Sequence, residues 1–134
     1  MTVPEKILVV DDSDDTREMM AKLLELESFV VITAEDGKKG FDRARAERPD
    51  IIITDINMPN INGIEMIKML RNEAELSKVP IMAITAYGNS VAIEAIQAGA
   101  NRASTKPIEF DSLMGGIRQL LAESKNNSQT RGCS

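Results

Sequence analysis

The stretch Ile51-Ile52-Ile53-Thr54-Asp55 constrains this chain more than any other. Three consecutive β-branched residues read as a strand buried on both faces, as strands of a parallel sheet are. Such a sheet needs helices on both sides, so the flanking chain must alternate strands with helical segments. The run ends in Asp55, followed by Ile56, Asn57 and the Met58-Pro59 break. A carboxylate where a buried strand emerges lies at the carboxyl edge of the sheet, where open α/β folds bind ligands. Taken alone, Asp55 is more simply an acid that ends a strand. Three further stretches change that reading.

The expected alternation is present. Lys6–Val10 is a short apolar run, and Asp11-Asp12-Ser13-Asp14-Asp15 follows it. Ser13 is a good N-cap, and the acids behind it suit the positive end of a helix dipole. Met19, Met20, Leu23 and Leu24 then give a helix an apolar stripe that stops at Glu27. Phe29–Thr33 reads as a second strand. Asp36-Gly37 opens a charged helix to Arg48, whose sparse apolar face (Gly40, Phe41, Ala44) suits one covered side. After the Ile51–Asp55 strand, a helix is expected from about Ile64 to Leu76, a strand over Val79–Thr85 and a helix over Asn89–Ala98. Gly99 stops that helix as a C′ glycine. Ala100–Thr105 takes the place of a fifth strand, although Asn101, Arg102 and Ser104 make it weak by composition. Lys106-Pro107 and a last helix, about Glu109–Ala122, follow. The polar, aperiodic stretch 123–134 is expected to be a disordered tail outside a single domain of residues 1–122.

Composition narrows the function classes. The 134 residues suit one domain, and a net charge of -5 argues against an intrinsic nucleic-acid surface. No apolar run reaches the roughly 18 residues of a membrane span, and Met1–Glu5 is not laid out as a signal peptide. The single Cys133 offers no disulfide framework, so a cytoplasmic protein is the expectation. The chain has no histidine, which removes the commonest general base and zinc ligand. Any metal should therefore be hard and oxygen-ligated.

Four features then fall at the carboxyl ends of successive strands: Asp11 with Asp12, Asp55, Thr85 and Lys106. Singly, each has a plainer explanation as a capping acid, a strand-end threonine or a surface lysine. Together they place three carboxylates, an ammonium and a hydroxyl along one edge. Crowded carboxylates raise each other's pKa, and a divalent cation such as Mg²⁺ relieves that repulsion. Acids, cation, ammonium and hydroxyl gathered around one carboxylate are what an aspartyl-phosphate needs.

On these residues the chain resembles a response-regulator receiver domain of the CheY-like family. The matching pieces are Lys6–Ser13, Asp55–Pro59 with Gly63, Thr85-Ala86, Gly99-Ala100 and Lys106-Pro107, spread over about residues 5–122. The resemblance implies a flavodoxin-like, doubly wound sheet of five parallel strands in order 2-1-3-4-5 with five helices. It implies that Asp55 is the phosphoacceptor, charged by a histidine kinase or histidine phosphotransfer protein. Asp11, Asp12, Asp55 and the backbone carbonyl of Asn57 would hold Mg²⁺, and Thr85 and Lys106 would contact the phosphoryl oxygens. It further implies a cis Lys106-Pro107 bond and a role for Asn57 and Tyr87 in tuning hydrolysis. Such a protein is no enzyme beyond its own phosphorylation and dephosphorylation. It would signal to a downstream protein by contact, as a monomer or a weak phosphorylation-dependent dimer. One departure stands out: receivers usually carry Tyr or Phe three residues before the lysine, and here that residue is Ala103, flanked by Arg102 and Ser104.

Other readings compete. Asp12-Ser13-Asp14-Asp15-Thr16 fits the D-x-D-x-T pattern of haloacid-dehalogenase-like phosphatases, with Asp12 as nucleophile and Asp14 as general acid. That reading leaves Asp55 idle and lacks an acidic pair after the lysine. A pseudo-receiver that binds partners without phosphorylation would fit Ala103 and the weak fifth strand, but not the complete acid, threonine and lysine set. A flavin-binding protein of the same topology would place its phosphate against the acids of 11–15.

Overall fold

The computed structural model describes residues 4–58, 61–86, 89–106 and 108–133. Among them, five strands and five helices alternate strictly: β1 (Lys6–Val10), α1 (Asp14–Leu26), β2 (Val30–Ala34), α2 (Gly37–Glu47), β3 (Ile51–Asp55), α3 (Gly63–Asn72), β4 (Ile81–Thr85), α4 (Asn89–Ala98), β5 (Arg102–Thr105) and α5 (Phe110–Cys133). All strand pairs are parallel, in the order β2-β1-β3-β4-β5.

β3 lies at the centre of this order, and all five of its residues are buried, as are all five of β4. Side chains alternate across the sheet. Leu8, Val10 and Ile52 join Ala44, Met66, Ile67, Leu70 and Ala95 in the core under α2, α3 and α4. Ile7, Val9, Ile51 and Ile53 join Met20, Leu24, Leu113 and Ile117 under α1 and α5. Burial on both faces explains why the inner strands read as unbroken apolar runs. The outer strands look different for the same reason. β2 and β5 lie at the edges, and the Arg102 and Thr105 ends of β5 are exposed. Its polar composition is that of an edge, and the strand is held by register with β4, Met82 opposite Arg102 through Thr85 opposite Thr105.

The caps follow the sequence signals. Ser13, Asp36 and Asn62 each accept a backbone N–H three residues on, at the starts of α1, α2 and α3. Gly99 takes φ +130 after α4, a conformation that side chains oppose. Two helix ends depart from expectation. α3 stops at Asn72 rather than Leu76, because the chain turns so that Leu76 reaches the core from a non-helical segment. α5 does not stop at Ala122 but continues as helix to Cys133, where the expected disordered tail would lie. Neither proline nor glycine interrupts residues 117–131, so no backbone signal ends the helix there.

At the amino edge of β4 and β5, Arg71 of α3 ties the elements together. Its Nε donates to the Gly99 carbonyl at 2.9 Å. One terminal nitrogen donates to Leu76 and Ser77 carbonyls at 3.2 and 3.1 Å. The other donates to Asn101 Oδ1 at 2.9 Å. That same oxygen accepts the Ile81 N–H at 2.9 Å, at the start of β4. Burial pushes the guanidinium pKa down from its ordinary value. Replacing Arg71 by Met removes the donors and leaves the carbonyls of Gly99, Leu76 and Ser77 without them. The expected loss is about 2–3 kcal/mol of unfolding free energy, measured by urea denaturation; a loss under 0.5 kcal/mol on that scale would remove Arg71 from the framework.

Candidate functional site

The parallel register decides which residues meet at the carboxyl edge. Val10 lies opposite Thr54, so Asp11 follows β1 beside Asp55 at the end of β3. On the other side Asp55 lies opposite Ile84, and Thr85 opposite Thr105, which brings Thr85 and Lys106 to the same edge. The order that puts β3 in the middle thus puts Asp55 between the acids of β1 and the hydroxyl and ammonium of β4 and β5.

One carboxylate oxygen from each of Asp11, Asp12 and Asp55 lies within 4.8 Å of the others. Asp11 and Asp55 are buried, at 4% and 7% exposure, while Asp12 is exposed. Lys106 Nζ lies 3.2 Å from Asp55 Oδ2 and donates to it. The other oxygen, Oδ1, accepts the Asn57 N–H at 3.3 Å. The Asp55 backbone is also held. Its carbonyl accepts the Thr54 hydroxyl at 2.8 Å, and the next N–H, of Ile56, donates to Ile84 at 3.0 Å. Thr85 is fully buried, and its carbonyl accepts the Lys106 N–H at 2.9 Å, so lysine and threonine are placed as a pair.

The loop after β3 is clamped by α3. The Gly63 N–H donates to the Ile56 carbonyl at 2.8 Å. A Cβ on Gly63 would stand 2.5 Å from the Asp55 carbonyl oxygen and 2.7 Å from Ile56 Cα, both backbone atoms that cannot swing aside. Glycine is required there by close approach, and it lets α3 press against the chain that carries Asp55.

Electrostatics within the triad are unfavourable without a cation. Burial pushes the Asp11 carboxyl above its ordinary pKa, the charges of Asp55 and Asp12 add to the rise, and the Ser13 N–H and Lys106 oppose it. Three hard oxygen donors facing one another are a set that fits Mg²⁺. Asp14 lies outside this group. It is largely exposed and ion-paired with Arg17, which argues against a general acid working with Asp12.

All of Asp11, Asp12, Asp55, Thr85 and Lys106 therefore meet at one edge, as expected from their strand ends. Tyr87 and Pro107, with the cis bond expected before it, lie outside the described residues. Ala103 is half-buried and lines a groove of about 480 Å³ with Ala92, Ser104, Ser112 and Leu113, between α4, β5 and α5. Two contributors were not visible in the sequence reading. Thr54 carries no motif signal. Arg17, which donates to the Asp11 carbonyl at 2.8 Å, has one: a residue in the first turns of a helix points back toward the helix start.

Comparison with known proteins identifies the family of the fold. The family model of the response regulator receiver domain matches residues 7–118. The polar-differentiation response regulator DivK of Brucella anthropi is 30% identical over 122 residues, which cover 90% of this chain and 99% of DivK. The hybrid signal transduction histidine kinase D of Dictyostelium discoideum is 34% identical over 120 residues; the chain spans 89% of itself there but 8% of that protein. The high-resolution structure of the chemotaxis response regulator CheY4 of Vibrio cholerae superposes with a TM-score of 0.83 at 30% identity, covering 88% of this chain and 99% of CheY4.

The raised Asp11 pKa sets a sign. Between the unfolded and folded values the folded chain binds more protons, so stability falls as pH rises through that window, and the full cost is present above it. Asp11→Asn removes the charge at nearly constant shape. In EDTA at neutral pH its unfolding temperature should exceed the parent's by a few degrees, while Mg²⁺ should raise the parent's and hardly move the variant's. Calorimetry of the two proteins checks this; a less stable variant in EDTA would mean that repulsion does not govern the cluster.

Proposed function

The chain belongs to the response-regulator receiver family and is a receiver of two-component signalling, and within that role we propose that Asp55 is its phosphoacceptor. The observation that carries the assignment is the contact of Lys106 with Asp55 inside a triad whose oxygens lie within 4.8 Å. An Asp55 oxygen attacks the phosphorus of a phosphohistidine on a kinase or phosphotransfer protein. As the P–O bond forms, the P–N bond breaks and its electron pair returns to the imidazole nitrogen. This chain contains no histidine, so the donor is not one of its own residues.

Asp11, Asp12, Asp55 and the Asn57 carbonyl would hold Mg²⁺, which when bound supplies positive charge against both the triad and the incoming phosphoryl oxygens. Lys106, already on Asp55, moves its charge onto a phosphoryl oxygen as that group arrives. Thr85 donates its hydroxyl to another, which draws the end of β4 toward the site. The phosphorylated edge is then read by a downstream protein in the cytoplasm, through contact rather than catalysis.

The test is intact mass after incubation with Mg²⁺ and acetyl phosphate. The parent should gain a phosphoryl group and Asp55→Asn should not. Lys106→Met should gain it about 10²-fold more slowly, the scale of losing one fixed donor to developing charge. An adduct that persists in Asp55→Asn would overturn the assignment. A parent that binds Mg²⁺ yet gains no adduct from acetyl phosphate or from a phosphorylated kinase would make this a receiver fold acting without phosphorylation.

A further inference from the structure

The two acids that follow β1 are joined by a single peptide, and its orientation sets where both carboxylates point. That peptide is gripped from α1. Arg17 reaches back from the first turns of the helix, with only 15% of its side chain exposed, and donates from Nη1 to the Asp11 carbonyl at 2.8 Å. Its other terminal nitrogen donates to Asp14 Oδ1. Two more polar groups of Asp11 are engaged as well. Its N–H donates to the Ala34 carbonyl at 3.1 Å, and its Oδ1 accepts the Ser13 N–H at 2.9 Å.

We propose that Arg17 is a positioning residue for the cation site, fixing the Asp11–Asp12 peptide so that both carboxylates face Asp55. This rests on the reading of the triad as an Mg²⁺ site given above. The planar fork suits the task, because one guanidinium holds a neutral carbonyl with one arm and a carboxylate with the other. The second arm also engages Asp14, the next acid along, which lies outside the triad. Groups that orient metal ligands without touching the metal commonly govern affinity, and their loss costs about 10- to 100-fold.

A plainer role for Arg17 is an i,i+3 ion pair with Asp14 at the start of a helix, which contributes little. Opposite signs separate the two. By charge alone, removing a cation beside a dication site tightens Mg²⁺ binding, and removing the Asp14 charge weakens it. By positioning, loss of the Arg17 bond to Asp11 weakens binding, while loss of the Asp14 carboxylate leaves that bond in place.

The experiment is calorimetric titration of the whole chain with Mg²⁺ alone, for the parent, Arg17→Met, Arg17→Lys and Asp14→Asn, with unfolding temperatures taken in EDTA. The expected result is affinity about tenfold lower in Arg17→Met, partly recovered in Arg17→Lys, and close to the parent in Asp14→Asn. If Arg17→Met does not fold, Arg17→Lys decides, with weaker binding than the parent supporting the role and equal binding overturning it. Unchanged or tighter binding in Arg17→Met, or an equal loss in Asp14→Asn, overturns the positioning role and leaves the Mg²⁺ site standing. A parent that binds no Mg²⁺ overturns both.

Discussion

The fold turns on one buried carboxylate at the end of one buried strand. β3 is apolar on both faces because it runs through the middle of the sheet, and it delivers Asp55 to an edge where the residue is still 7% exposed. A charge in that position is costly unless it is paired and hydrogen-bonded. The pairing comes from Lys106, fifty-one residues further along the chain and two strands away. That bond makes sense only if β5 completes the sheet beyond β4, so an interaction at the site reports on the correctness of the whole topology.

The compensation is incomplete. One ammonium faces three carboxylates, and the pKa of Asp11 is raised, first by its burial and then by the charges of Asp55 and Asp12. Ordinary structural ion clusters tend toward balance, because each uncompensated buried charge weakens the fold. An imbalance of this kind is what a site shows when part of its positive charge arrives from outside, and a receiver domain gathers that charge from a cation. The same imbalance makes the edge responsive to any positive charge that binds there.

Much of this was legible in the sequence, for a physical reason. Strands buried on both faces must be apolar throughout, so β1, β3 and β4 announce themselves, and the residues at their ends are placed by the same reading. Asp11, Asp12, Asp55 and Thr85 needed no more than that, whereas Lys106 follows β5 and was placed with the help of the segment after it. The strand order came from family resemblance, since apolar runs do not say which runs are neighbours. Edge strands are legible only from context, as β5 shows with Arg102 and Thr105 exposed. Helix ends without caps were misplaced: Leu76 is apolar because it is buried, not because α3 continues to it, and α5 runs on to Cys133 through residues that carry no stop signal. Arg17 and Arg71 were missed for a shared reason, although the place of Arg17 in the first turns of α1 shows that it points back toward the helix start. Both act through bonds to backbone carbonyls, and a carbonyl leaves no mark in a sequence.

These two arginines also divide the molecule. At the amino edge, Arg71 satisfies carbonyls from the end of α3 to Gly99 and locks the starts of β4 and β5 through Asn101, with opposed charges absent from its contacts. At the carboxyl edge, like charges meet and Gly63 permits the close backbone approach of α3 to Asp55. A change of charge at Asp55 therefore acts on strands anchored at their far ends. Beside the carboxyl termini of β4 and β5, Ala103 lines a groove of about 480 Å³ between α4, β5 and α5. Ile84, Ile108 and Leu113 line that groove together with Ala92, Ala103 and Ser104. Thr105 at its rim lies opposite Thr85 in the β4–β5 register, so the groove adjoins the carboxyl edge through that pair of threonines.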